Sequence, residues 1–95
     1  MRAVSPPVIE TQPIDVEAGP GGTAVFTVVA SGRGLTYQWF GPGGVALSDS
    51  AGEIEGATTA TLRVLDVQPA DAGSYQVRIS NGGGFVDSEV VTLSE

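Results

Sequence analysis

Asp71-Ala72-Gly73-Ser74-Tyr75-Gln76-Val77 is the stretch whose reading decides the fold. Residues 66–73 read as a corner, with Pro69-Ala70-Asp71-Ala72-Gly73 suited to a single helical turn. From Ser74 the pattern changes. Tyr75, Val77 and Ile79 fall on one side and Gln76, Arg78 and Ser80 on the other, the period of two that marks a half-buried strand. Gly82-Gly83-Gly84 then turns the chain into a last strand over 85–94.

The same alternation recurs upstream. Residues 59–65 form a strand with Leu62 and Val64 inward, and residues 53–55 a short edge strand. A short strand over 45–48 follows the turn Gly41-Pro42-Gly43-Gly44. Leu35, Tyr37 and Trp39 share one face, with Thr36, Gln38 and Phe40 opposite. In residues 23–31, Ala24, Phe26, Val28 and Ala30 oppose Val25, Thr27 and Val29. Residues 8–11 and 14–17 flank Pro13, which cannot donate to a ladder and so marks an edge strand that breaks in two. Turn signals every 8–12 residues, about seven to nine strands and no helical period predict an all-β sandwich or barrel.

Composition agrees. Fourteen glycines and six prolines make up about a fifth of the 95 residues, as a protein of many turns requires. The length fits one domain, which buries about 60–65% of the surface exposed by its unfolded chain. Eleven acids face four arginines (Arg2, Arg33, Arg63, Arg78) and no lysine, for a net charge of −7. Nucleic acid and anionic membrane surfaces need clustered cations, so neither is expected as a partner. Without cysteine or histidine, the usual transition-metal ligands and most nucleophile–base pairs are missing, and no cofactor is expected. No apolar run is long enough to span a bilayer. The start, through Pro6-Pro7, lacks an apolar signal-peptide core, which predicts either a protein without export information or one module of a longer chain. Zero cysteine suits a reducing compartment and equally many secreted bacterial proteins, so it leaves the location open.

The corner and strand at 71–77 resemble the Asp-x-Gly-x-Tyr-x-Cys signature of immunoglobulin domains, with Val77 in the place of cysteine. Val28 stands where the first cysteine normally falls, upstream of Trp39. The order Val28, Trp39, Leu62, Asp71, Tyr75, Val77 follows the family pattern over nearly the whole chain. The front Pro-Pro-Val-Ile-Glu-Thr-Gln-Pro and the Leu-Thr-Tyr-Gln-Trp-Phe strand are similar to bacterial intermediate-set (I-set) modules. The resemblance implies an antiparallel sandwich of two sheets. Trp39 packs between them, Tyr75 forms a tyrosine corner and Asp71 caps that corner. It also implies residues 7–95 as the domain and 1–6 as a tail or interdomain linker. The departure is the missing disulfide, whose loop of about 50 residues would be worth ~4 kcal/mol by chain-entropy estimates.

No enzyme is expected. Asp66 and Asp71 read as a loop acid and a corner cap, and the glycine runs lie in turns that precede no helix. Asp49, Glu53 and Glu55 form the densest acidic stretch and read as a solvated edge, since calcium needs six to eight converging oxygens. Gln38, Phe40, Arg78 and Phe85 point outward on one sheet; an interface could be built from them, but the expected reading is intramolecular cover by the short strand over 45–48. The loops 31–34 and 81–84 are short and glycine-rich, without the aromatics of paratopes, and read as turns only.

The resemblance implies a monomeric spacer of a larger bacterial secreted or surface protein, located outside the cell with neighbouring domains on the same chain. The alternative is a binding module for protein adhesion or glycan recognition. An intracellular muscle-type bead accounts for the absent disulfide but fits the front and the Trp39 strand less well.

Overall fold

The computed structural model describes residues 4–95. Ten strands form two layers: β1 (Val8–Thr11), β2 (Val16–Glu17), β3 (Ala24–Thr27), β4 (Val29–Ser31), β5 (Thr36–Phe40), β6 (Ile54–Glu55), β7 (Thr61–Val64), β8 (Gly73–Asn81), β9 (Gly84–Asp87) and β10 (Val91–Ser94). Single 3-10 turns occupy Pro42–Gly44 and Pro69–Asp71. One layer holds β1 beside β4 and the order β3-β7-β6; the other runs β2-β10-β8-β5, with β9 also on β8.

β8 organises the second layer because its alternation is unbroken: Tyr75, Val77 and Ile79 are buried. It pairs antiparallel with β5 from Thr36↔Ser80 to Phe40↔Gln76, which sets Trp39 opposite Val77. Its other edge takes β9 and then β10. Residues 85–94 do not make one strand. Ser88 is buried at the break, where its hydroxyl accepts from the Val77 amide (3.0 Å) and donates to the Glu89 carbonyl (2.9 Å). A buried hydroxyl carries a desolvation penalty unless it is bonded, so these contacts take precedence over regular pairing.

The first layer breaks in a similar way. Residues 23–31 divide at Val28, whose amide makes the last bond in the β3–β7 register, to the Ala60 carbonyl (3.0 Å), before the chain turns to a new partner. β3 pairs with β7, while β4 pairs with β1. Pro13 is buried between β1 and β2, where the chain changes layer, and β2 joins β10 in parallel. The crossing is fastened by side chains: Gln12 accepts from the Glu89 amide and Asp15 from the Thr92 amide, each at 2.9 Å. Residues 45–48 are not a strand. They run beside β5 after a tight turn with Gly43 and Gly44 at positive φ, but make only one isolated bridge, Phe40↔Ala46, flanked by bonds from the Gly41 amide to the Val45 carbonyl (2.9 Å) and from the Leu47 amide to the Trp39 carbonyl (3.0 Å).

Fourteen apolar residues from both layers form a single core, with Trp39 and Phe26 at 0% and 1% exposure. The Phe26 ring lies 6.2 Å from Trp39 and 5.0 Å from Tyr75, centroid to centroid, within the range of favourable aromatic pairs. The principal extents are 52 × 23 × 19 Å. The described ends lie at opposite poles: Ser5 beside Asn81 at the end of β8, Ser94 beyond the Leu93↔Gly73 pair at its start.

Candidate binding face

The corner that opened the sequence is built around Tyr75. Its hydroxyl donates to the Asp71 carbonyl at 2.6 Å, and burial, reinforced by the Asp71 charge, pushes its pKa up to about 12. Asp71 is half-buried; one carboxylate oxygen accepts from the Gln68 amide at 2.8 Å, closing the 3-10 turn. Val28, Leu62 and Val77 are buried at 1%, 0% and 0% exposure in the core that contains Trp39. The Trp39 indole N–H reaches the Thr59 carbonyl at 2.7 Å, so the largest core side chain is satisfied.

Acid–base chemistry has little to work with at this corner. A depression of about 330 Å³ is lined by Leu47, Ile54, Leu65, Glu53, Asp66 and Asp71. Asp66 accepts from the Gln68 side chain at 3.2 Å and Asp71 from the Gln68 backbone, so both carboxylates are bonded to one glutamine. The acids at 49–55 are also engaged separately. Asp49 accepts from the Ala57 amide (2.8 Å), Glu53 from the Ser50 hydroxyl (3.2 Å), and Glu55 lies 3.8 Å from Arg63. Among the described residues, no group of three acids converges in a way that could hold a metal ion.

The outer face of β5, β8 and β9 gathers the outward residues singled out above. Gln38, Arg78 and Asp87 lie in one cross-strand row. Arg78 makes a forked pair with Asp87 (2.7 and 3.1 Å), a hydrogen bond that lowers the Asp87 pKa and raises that of Arg78. The guanidinium also stands 4.1 Å over the Phe85 ring, whose side chain is 57% exposed. Gln38 is half-buried on this face, donating to the carbonyls of Trp39 and Leu47 at 2.8 Å each, and is covered by the 41–48 segment, the intramolecular cover expected for it. Phe40 is half-buried and borders two shallow depressions of about 290 and 230 Å³, which share Gly44 and Gln76.

Two contributors were missed from the sequence. Asp87 mirrors Arg78 across the Gly82-Gly83 hairpin, so opposite charges at equal distances from the turn were the available signal. Ser88 interrupts an inward run, and a polar residue there marks a bonded break.

Two packed β-layers, antiparallel apart from the β2–β10 pair, with a buried tryptophan and a tyrosine corner define the immunoglobulin-like sandwich. The immunoglobulin-domain family model matches residues 6–81, and the chain belongs to that family. A segment of endoglucanase C from Cellulomonas fimi is 36% identical over 89 residues, covering 93% of this chain but 8% of the enzyme's length. Titin M4 superposes with a TM-score of 0.85 at 23% identity over 98% of both chains, a likeness of fold alone. Drosophila OTK extracellular domains 3–5 give a TM-score of 0.83 at 29% identity over 97% of this chain and 32% of that one.

Proposed function

We propose that the chain is a non-catalytic I-set module acting as a spacer in a larger bacterial secreted or surface protein. The observation that carries this reading is the placing of its described ends at opposite poles of a body 52 Å long. A module entered at one pole and left at the other extends a polypeptide instead of folding it back. The match to a small segment of endoglucanase C supports a multidomain parent, and the bacterial source of that relative supports the assignment outside animal muscle. The separately engaged acids at the corner and at 49–55 support a role without chemistry. Sedimentation of the isolated chain at micromolar concentration tests the reading. A monomer is expected, and a tight dimer would sink it.

A second reading has one observation in its favour: Phe40, Gln76 and the Arg78–Asp87 pair lie along one outer face with exposed Phe85 beside them. Aromatic rings with planar hydrogen-bonding groups suit a protein or glycan partner. The two depressions on this face are shallow and open, unlike the clefts that bury most of a ligand's surface, which favours the spacer. Glycan-array retention lost on Phe40→Ala would reverse that order.

A further inference from the structure

The glycine-rich tip 82–84, a turn and nothing more by its composition, is occupied. The backbone of Val4–Pro7 lies across it. Asn81 reaches out with its side-chain N–H to the Ser5 carbonyl at 2.9 Å, while its side-chain oxygen accepts from the Gly83 amide at 2.8 Å. One amide side chain thus fastens the turn and the incoming strand together. Gly83 has no room for anything larger. A Cβ there would stand 2.2 Å from the Val4 carbonyl oxygen and 2.6 Å from the Ser5 carbonyl carbon, both backbone atoms that cannot swing aside. A Cβ on Gly84 would meet the Pro6 ring at 3.5 Å, and one on Gly32 would meet Pro7 at 3.5 Å. Pro7 itself is buried. Gly82, by contrast, faces open space.

We propose that Val4–Pro7 is a clamped entry strap, and that the 32–34 and 81–84 pole is a preset joint for whatever body precedes Val4 on the polypeptide. Two consecutive prolines restrict the strap's own torsions, so clamping its upstream half at Asn81 and Gly83 fixes the direction in which the chain arrives. The interaction surface is intramolecular. Its partner is an extended Val-Ser-Pro-Pro segment recognised through backbone carbonyls, not through side-chain charge. A spacer so equipped transmits orientation as well as distance.

The inference rests on the spacer reading, and its test is independent of it. Backbone 15N relaxation of the intact chain reads the strap directly at the Val4 and Ser5 amides. The Ser5 order parameter is expected near the rigid-backbone value of about 0.85, and in Gly83→Ala both residues should fall below about 0.6. Gly82→Ala, with nothing to collide with, should leave both unchanged. Asn81→Ala, which adds no bulk, removes the bond to Ser5 and should loosen the strap even if Gly83→Ala fails to fold. A Ser5 order parameter below about 0.6 in the unaltered chain would overturn the proposal, as would a strap that stays rigid in folded Gly83→Ala. With the chain still a monomer, the first result would leave a spacer with a loose hinge, and the second a spacer whose entry is held by something other than the Gly83 clamp. A tight dimer with a rigid strap would remove the spacer and keep the clamp.

Discussion

Residues 36–40 with 73–81, and the segment 41–60 beside them, are held by different physics. The first pair is a five-rung ladder from Thr36↔Ser80 to Phe40↔Gln76 that places Trp39 against Val77 with no exposure at either. The second is about twenty residues long yet contains one two-residue strand, β6, and two isolated bridges, Phe40↔Ala46 and Ser50↔Ile54. It stays in place through a few anchors, with Ala57 buried and Leu47 and Ile54 half-buried, and through turn bonds such as Thr59 amide to Gly56 carbonyl at 3.0 Å. Stability in this fold belongs to the rows where a ladder and a buried face coincide. Where the ladder lapses, individual bonds substitute, and each is worth about 1 kcal/mol.

The sharpest way to break that comparison is at Trp39. Trp39→Ala leaves a cavity between the layers and orphans the Thr59 carbonyl, for an expected loss of about 3–5 kcal/mol. Against a domain stability of about 5–15 kcal/mol, urea denaturation should show a midpoint moved to a fraction of its original value. A shift of under 1 kcal/mol would mean that the tryptophan is not the keystone. The next effect has the opposite sign. Val28 and Val77, one from each layer, are both buried in the core, and Val28→Cys with Val77→Cys should form a disulfide stabilising the chain by about 2–4 kcal/mol. Mass spectrometry establishes the bond, and calorimetry should show a raised Tm. A lowered Tm with the bond formed would mean that the two positions do not face each other as bridging requires.

How well the two regions could be read from sequence follows the same division. Alternation at Tyr75, Val77 and Ile79 predicts an inward face because a ladder with one wet side enforces a period of two. The buried rows at Phe26, Trp39 and Leu62 are legible for that reason. The breaks are not, because each depends on distant partners: past Val28 the chain exchanges β7 for β1, and at Ser88 a side-chain hydroxyl takes the Val77 amide. Residues 45–48 look strand-like and do run beside β5, yet their pairing stops at the single Phe40↔Ala46 bridge and the two bonds flanking it, an extent that composition does not carry. The outer face was partly legible. Outward placement of Gln38, Arg78 and Phe85 follows from parity, whereas the bond that covers Gln38 depends on where the Leu47 carbonyl comes to lie. The strap at Val4–Pro7 left no sequence signal beyond Pro-Pro, since backbone carbonyls do its binding.

A smaller effect sharpens the comparison at the corner. Tyr75→Phe removes the bond to the Asp71 carbonyl while keeping the ring against Phe26, for an expected loss of about 1 kcal/mol near neutral pH. The pH dependence carries more information. Tyr75 is raised from 10.0 to about 12, so above pH 10 the unfolded chain releases a proton that the folded chain retains. Folded stability is therefore complete below about pH 10 and declines as pH rises toward 12. Chemical denaturation across that window should show the decline in the unaltered chain and a smaller one in Tyr75→Phe. Equal slopes would mean that the phenol is not held neutral by its surroundings.

The smallest effect lies in the segment that the ladder does not reach. Val45 is 63% exposed at the start of the 45–48 stretch, and its carbonyl accepts from the Gly41 amide at 2.9 Å. That bond belongs to the backbone and survives any change of side chain. Val45→Ser should therefore alter stability by no more than about 0.5 kcal/mol, although valine to serine inside the Trp39 row would be severe. Val77→Ser is the matched control: the same chemistry at a position with no exposure, where lost burial and an added hydroxyl without a partner act together. If both substitutions destabilised the chain alike, residues 41–48 would be sharing the core's cooperativity, and the division between laddered and unladdered regions would fail. A large gap between them would locate the fold's stability in the rows that pack both layers together.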